Sequence, residues 1–316
     1  MKRIIDTILS NKVLFSGIAI FIILLYHQPM SGVIKGIYFY PGFSGVDVFL
    51  FFSGYGLCYS LNKNSLGEFY KRRFLRILPL YMLLGLIAGL LHYKEYKIWD
   101  YICNMTSLSY WGLGGNEFEW YLSSLFIFYL AFPFLYRAIV KWPRRATWGG
   151  YLFVIWIIVL AVFAVFDLAF YYETFIGRVP IFLLGIMCYK DRGFFKQGLI
   201  VFTAFLIPAI FLYIKGLIHT YTLIYCLGPV IILIIALIVP FVKSKEILNK
   251  CFSWMGKKSL EIYVANSIIC ICLRSILSGW TMTITYWLLH IPVVLIICWL
   301  NNSIANVINR NSINQK

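Results

Sequence analysis

Ten apolar runs, each close to bilayer length, follow one another along this chain with only short polar connectors between them. They cover approximately residues 13–28, 44–62, 76–93, 120–138, 149–167, 176–190, 197–214, 221–242, 259–278 and 282–303. A helix needs about 20 mostly apolar residues to cross the hydrocarbon core. Lipid offers no water to backbone amides, so a run of this kind must satisfy its own hydrogen bonds as a helix. The sequence therefore predicts an all-α polytopic membrane protein of about ten transmembrane helices, built as a single membrane-embedded domain over residues 1–316. Only 13 % of residues are charged, against about 25 % in soluble domains, so no soluble domain is expected. The basic start, MKRIIDTILSNK, is followed by no small-residue cleavage site and reads as the lead into an uncleaved first helix. The eight cysteines stand singly with no zinc or disulfide spacing, and read as small apolar packing residues. No metal is expected.

The basic residues orient these helices. With both termini in the cytoplasm, the inner segments hold Lys2, Arg3, Lys12, Lys63, Lys71, Arg72, Arg73, Arg76, Arg137, Lys141, Arg144, Arg145, Lys190, Arg192, Lys196, Lys243, Lys245, Lys250, Lys257, Lys258, Arg310 and Lys316. The outer segments keep Lys35, Lys94, Lys97, Arg178, Lys215 and Arg274. That imbalance is the positive-inside pattern of an inserted protein. It accounts for the net charge of +16 through contact with anionic lipid headgroups, and no nucleic-acid partner is needed.

Ionisable residues inside such segments are costly and mark function. His27 ends the first run and Asp47 opens the second, so the two are expected at matched depth near the outer surface. Trp120 and Tyr121 open the fourth run, and Arg178 opens the sixth, on that same side. Arg72, Arg73 and Arg76 stand at the inner mouth of the third. Plainer readings exist for each: an interfacial histidine, topology-setting arginines, an arginine snorkelling to water. His92, His219 and His290 lack a comparable setting and read as loop or interfacial residues. Two stations nevertheless suit one chemistry. Guanidinium groups pair with phosphates in bidentate fashion. An imidazole, with an unperturbed pKa of about 6.5, accepts protons near neutrality, and a carboxylate beside it steadies the imidazolium. Acyl-CoA carries phosphates at one end and a thioester at the tip of a long arm. A donor held by the inner arginines could thus present its acyl group to a hydroxyl activated by His27.

Five stretches carry a resemblance. GVDVFLFFSGYGL (45–57), YKRRFLRILPLYML (70–83), EWYLSSLFIFYLAFPFL (119–135), RVPIFLLG (178–185) and GKKSLEIYV (256–264) are similar, in order and spacing, to the motifs of the acyltransferase 3 family of integral-membrane O-acyltransferases. The resemblance covers about residues 10–305, and its first two motifs together are specific. Two positions depart from the pattern. Ser16 stands where the family usually has an arginine, eleven residues before His27. Asn266 lies in the stretch after SLEIY where the family often has a histidine.

The resemblance implies transfer of an acyl group, commonly acetyl, from acyl-CoA to a hydroxyl of a cell-surface glycan or its lipid-linked precursor, at a bacterial inner membrane. Acyl-CoA would be a co-substrate, with no permanently bound cofactor. No appended esterase-like domain is expected. The roles that follow are His27 as general base or transient acyl carrier, with Asp47 orienting it. Arg72, Arg73 and Arg76 would bind CoA phosphates. Trp120 and Tyr121 would stack the sugar, and Arg178 would hold thioester charge or an anionic acceptor. The alternative is a transporter or flippase for an anionic lipid-linked substrate, using the same polar residues along its pathway.

Overall fold

The computed structural model describes residues 2–28, 40–91, 97–114, 119–141, 174–216, 224–274 and 279–313. Among them there is no strand, and every expected apolar run they cover is helical. The run at 149–167 lies outside the described residues, as do His92 and His219.

The helices are α1 (Lys2–Ser10), α2 (Lys12–His27), α3 (Gly45–Lys63), α4 (Leu66–Leu91), α5 (Ile98–Met105), α6 (Trp120–Tyr136), α7 (Val179–Lys190), α8 (Phe194–Ile214), α9 (Gly228–Ser244), α10 (Glu246–Lys257), α11 (Ser259–Arg274) and α12 (Gly279–Ile313). Short 3-10 turns at Tyr40–Ser44 and Leu108–Trp111 precede α3 and follow α5. A π turn, Arg137–Lys141, continues α6 just after Pro133. Prolines inside α4, α6, α8, α9 and α12 (Pro79, Pro133, Pro208, Pro240 and Pro292) are of the kind membrane helices tolerate, because neighbouring groups re-satisfy the freed carbonyls.

Four helical stretches are long and apolar enough to cross a membrane: Leu66–Leu91, Trp120–Lys141, Phe194–Ile214 and Ile284–Asn306. The pair Ile4–Ser10 and Lys12–His27, bent by 82°, makes a fifth if taken as one span. Three details differ from the sequence reading. The basic N-terminus forms a helix of its own, α1, which buries Ile5 and Ile8 while Asp6 pairs with Arg192. The connector after residue 244, which the sequence assigns to the inner side, is also a helix, α10, with no fully buried residue. Both are short, mixed apolar and charged helices, the composition of segments that lie at a membrane surface rather than cross it. The third run begins ten residues early, so the arginines expected in a connector are helical.

The chain divides into two compact units. One comprises Met1–Ile23, Phe39–Tyr70 and Ser124–Lys257; the other comprises Leu24–Tyr38, Lys71–Ser123 and Lys258–Lys316. In the first unit the most extensive helix contact is α3 on α7. Glycines make it possible. A Cβ on Gly54 would lie 2.2 Å from the Phe182 carbonyl oxygen, and one on Gly185 would lie 2.1 Å from that of Phe51. The lipid exterior is as apolar as leucine, so membrane helices associate through close backbone approach at small residues. Gly185→Val is therefore expected to separate α3 from α7. It should cost more than the 1–3 kcal/mol typical of overpacking, about 3 kcal/mol or above, because backbone and not a side chain must move. Thermal unfolding of the purified variant in detergent checks this; a parent-like transition would show that the helices do not meet there. In the second unit α11 packs on α12, around a core of Ile269, Leu273 and Tyr286.

Candidate active site

The first unit contains a buried ion pair. Asp47 is the third residue of α3, where a carboxylate complements the partial positive charge of a helix N-terminus. Arg178 sits at the N-cap of α7, followed by Pro180 in the first turn, a position where the same dipole disfavours a cation. The two lie together: Arg178 Nε is 3.3 Å from Asp47 Oδ1, with both side chains about 1–2 % exposed. Arg178 Nη2 donates to the Phe43 carbonyl at 2.9 Å. Its guanidinium lies 4.1 Å from the centre of the Phe43 ring and 5.2 Å from that of Tyr225. Ser44 caps no amide of α3; its hydroxyl donates to the Ile224 carbonyl at 3.3 Å instead. Gly228 completes the enclosure, since a Cβ there would come within 3.2 Å of Asp47 Cβ. The sequence reading gave Asp47 to His27 and left Arg178 for a ligand. Here the carboxylate neutralises the arginine, while Asp47 Oδ2 has no hydrogen-bond partner among the described residues.

The second unit carries His27, Arg72, Arg73, Arg76, Trp120 and Tyr121. His27 is the last residue of α2 and half-buried, its ring edge-on to Tyr26 at 5.0 Å. Arg72 and Arg76 are exposed on one face of α4, four residues apart, and Arg73 is half-buried beside them. At 1.5 Å per residue the 26 residues of α4 reach about 39 Å, longer than the roughly 30 Å hydrocarbon core. Its first turns can therefore project into the headgroup layer with their arginines. Trp120 is half-buried. Tyr121 is only 7 % exposed and packs edge-on against Tyr263 of α11, with ring centres 5.0 Å apart.

Two groups in this unit escaped the sequence reading. Glu119, immediately before α6, is 3 % exposed. Its Oε1 accepts from the Tyr263 hydroxyl at 2.8 Å and its Oε2 from the Ser267 hydroxyl at 2.9 Å; the amides of Tyr121 and Leu122 also donate to it. The carboxylate thus fastens the first turn of α6 to α11. His290, read as a loop or interfacial residue, is instead buried in the middle of α12. Both could have been found by the rule that singled out Asp47, since each is an ionisable residue in or against a long apolar run.

The helices and the polar groups held within them describe a multi-pass membrane protein with buried ionisable side chains. The chain matches the Acyltransferase domain family, acyltransferase 3, over residues 15–301, and it belongs to that family. A relative, the acyltransferase MdmB of Streptomyces mycarofaciens, is 34 % identical over 122 residues, a match covering 34 % of this chain and 32 % of that protein. The match thus spans about a third of that relative's length. No solved structure matches the chain.

Proposed function

We propose that this acyltransferase moves an acyl group, acetyl by preference, from cytosolic acyl-CoA to a hydroxyl of a cell-surface glycan or its lipid-linked precursor, at a bacterial inner membrane. The observation that carries the reading is the helical arginine face of α4 in the same compact unit as His27. Three guanidinium groups within six residues suit the phosphates of CoA, because each planar fork can pair two oxygens at once. His27 Nδ1 or Nε2 takes the proton of the acceptor hydroxyl as its oxygen attacks the thioester carbon. The C–S bond breaks as the tetrahedral intermediate collapses, and CoA leaves as the thiol once a proton returns to sulfur. A base placed in this way typically contributes about 10²–10⁴-fold. Trp120 offers a ring face on which a sugar can stack. Both termini are assigned to the cytoplasm by the positive-inside pattern of the sequence.

The arginine assignment is open to a direct test. Arg73→Ala and Arg76→Ala should each weaken acetyl-CoA binding about 10–100-fold, the worth of a hydrogen bond to a charged group. Lysine at either position should restore only part of that loss, because a point charge lacks the fork. Titration calorimetry with acetyl-CoA on the purified chain reads both. Parent-like binding by both alanine variants would make these residues topology anchors and nothing more.

A further inference from the structure

His290 presents a hydrogen-bond acceptor that meets no donor among the described residues. The residue is 6 % exposed. Its Nδ1 lies 2.7 Å from the Tyr286 carbonyl oxygen one turn earlier in α12. A carbonyl can only accept, so Nδ1 carries the proton. The neutral ring then holds its lone pair on Nε2. That atom is fully buried and has no hydrogen-bond partner among the described residues. Buried side-chain polar atoms are overwhelmingly paired, so a bare acceptor inside a helix bundle points to a missing donor.

The surroundings say where that donor would sit. The His290 ring lies 4.3 Å from Tyr286 and 5.9 Å from Trp287, centre to centre. Trp287 Nε1 donates to Gln28 Oε1 at 3.2 Å, and Gln28 directly follows His27. The Tyr286 hydroxyl lies 3.0 Å from the Leu24 carbonyl and 2.7 Å from Asn266 Oδ1. This face of α12 therefore rests against the end of α2 that carries His27, within one compact unit. The aromatic walls favour a largely apolar ligand segment bearing a single N–H or O–H.

We propose that His290 is a substrate-positioning residue, whose Nε2 accepts a hydrogen bond from a neutral N–H or O–H of the bound substrate beside His27. This rests on the acyl-transfer reading above. Two substrate groups share the required chemistry: an amide N–H of the CoA arm and the acceptor hydroxyl.

The test compares the full-length parent with His290→Phe and His290→Gln. Phenylalanine keeps the ring volume and removes the acceptor. Glutamine puts an amide oxygen near the place of Nε2. Three quantities are read: thermal unfolding of the ligand-free protein, the Kd for acetyl-CoA, and acylation of surface glycan in a deletion strain carrying each variant. His290→Phe should unfold no earlier than the parent, since it removes a bare buried acceptor. An amide N–H as the donor predicts acetyl-CoA binding about 3–10-fold weaker in the phenylalanine variant, largely regained in the glutamine variant. The acceptor hydroxyl as the donor predicts unchanged acetyl-CoA binding, with acylation lowered about 3–10-fold and again regained by glutamine. Unchanged binding and acylation in His290→Phe overturn the proposal. So does a loss that glutamine does not regain, or one that only follows a fall in unfolding temperature. A parent that neither binds acetyl-CoA nor acylates glycan overturns the acyl-transfer reading itself, and this assignment with it.

Discussion

Arg178→Ala is expected to destabilise the protein by about 3–5 kcal/mol, because it strands the Asp47 carboxylate in a site where both partners are about 1–2 % exposed. Asp47→Asn should be nearly as damaging for the opposite reason. It keeps the shape but leaves the guanidinium between Phe43 and Tyr225 without its counter-charge. A buried ion pair can often be exchanged for apolar residues of similar volume at little cost or some gain. The double change Asp47→Leu with Arg178→Met should therefore recover most of the stability lost by either single change. Thermal unfolding of the parent, Asp47→Leu, Arg178→Met and the double variant in one detergent closes the cycle. Additive single losses, with no recovery in the double variant, would mean that the two residues do not interact.

The second large effect falls on activity. His27→Ala and His27→Gln should each lower acyl transfer by about 10²–10⁴-fold, the usual contribution of a positioned base. Neither should lower stability in step. The residue is the half-buried last position of α2, where a substitution leaves more room to adjust than at the enclosed Asp47–Arg178 pair. Acetyl-CoA binding should also persist, since the phosphates are assigned to α4. The pairing of lost turnover with retained binding separates a chemical role from a packing role.

The helices were legible because lipid leaves the backbone one economical solution. Apolar runs of about 17–25 residues therefore translate directly into helix, as α3, α6 and α8 illustrate. What misled the reading was burial. Position along the chain put Asp47, Arg178 and His27 in one list of polar residues near an outer surface. Which of them touch depends on how α3 meets α7, and that contact is set by Gly54 and Gly185, whose role no apolar count reveals. His290 looked ordinary for the same reason. An isolated histidine in an apolar run is interfacial or buried according to the neighbour it faces, and here Tyr286 and Trp287 enclose it. Glu119 was hidden by its position one residue ahead of α6, where it reads as a connector until Tyr263 and Ser267 close on it. The amphipathic helices α1 and α10 were hidden because each is too short and too charged to stand out as an apolar run of bilayer length.

The most direct measurement follows radiolabel from acetyl-CoA into a surface-glycan acceptor, using the purified chain and its His27→Ala variant side by side. The account predicts labelled, hydroxylamine-sensitive ester on the glycan with the parent, and acetyl-CoA binding without labelled product with the variant. Parent-level labelling by His27→Ala would contradict it.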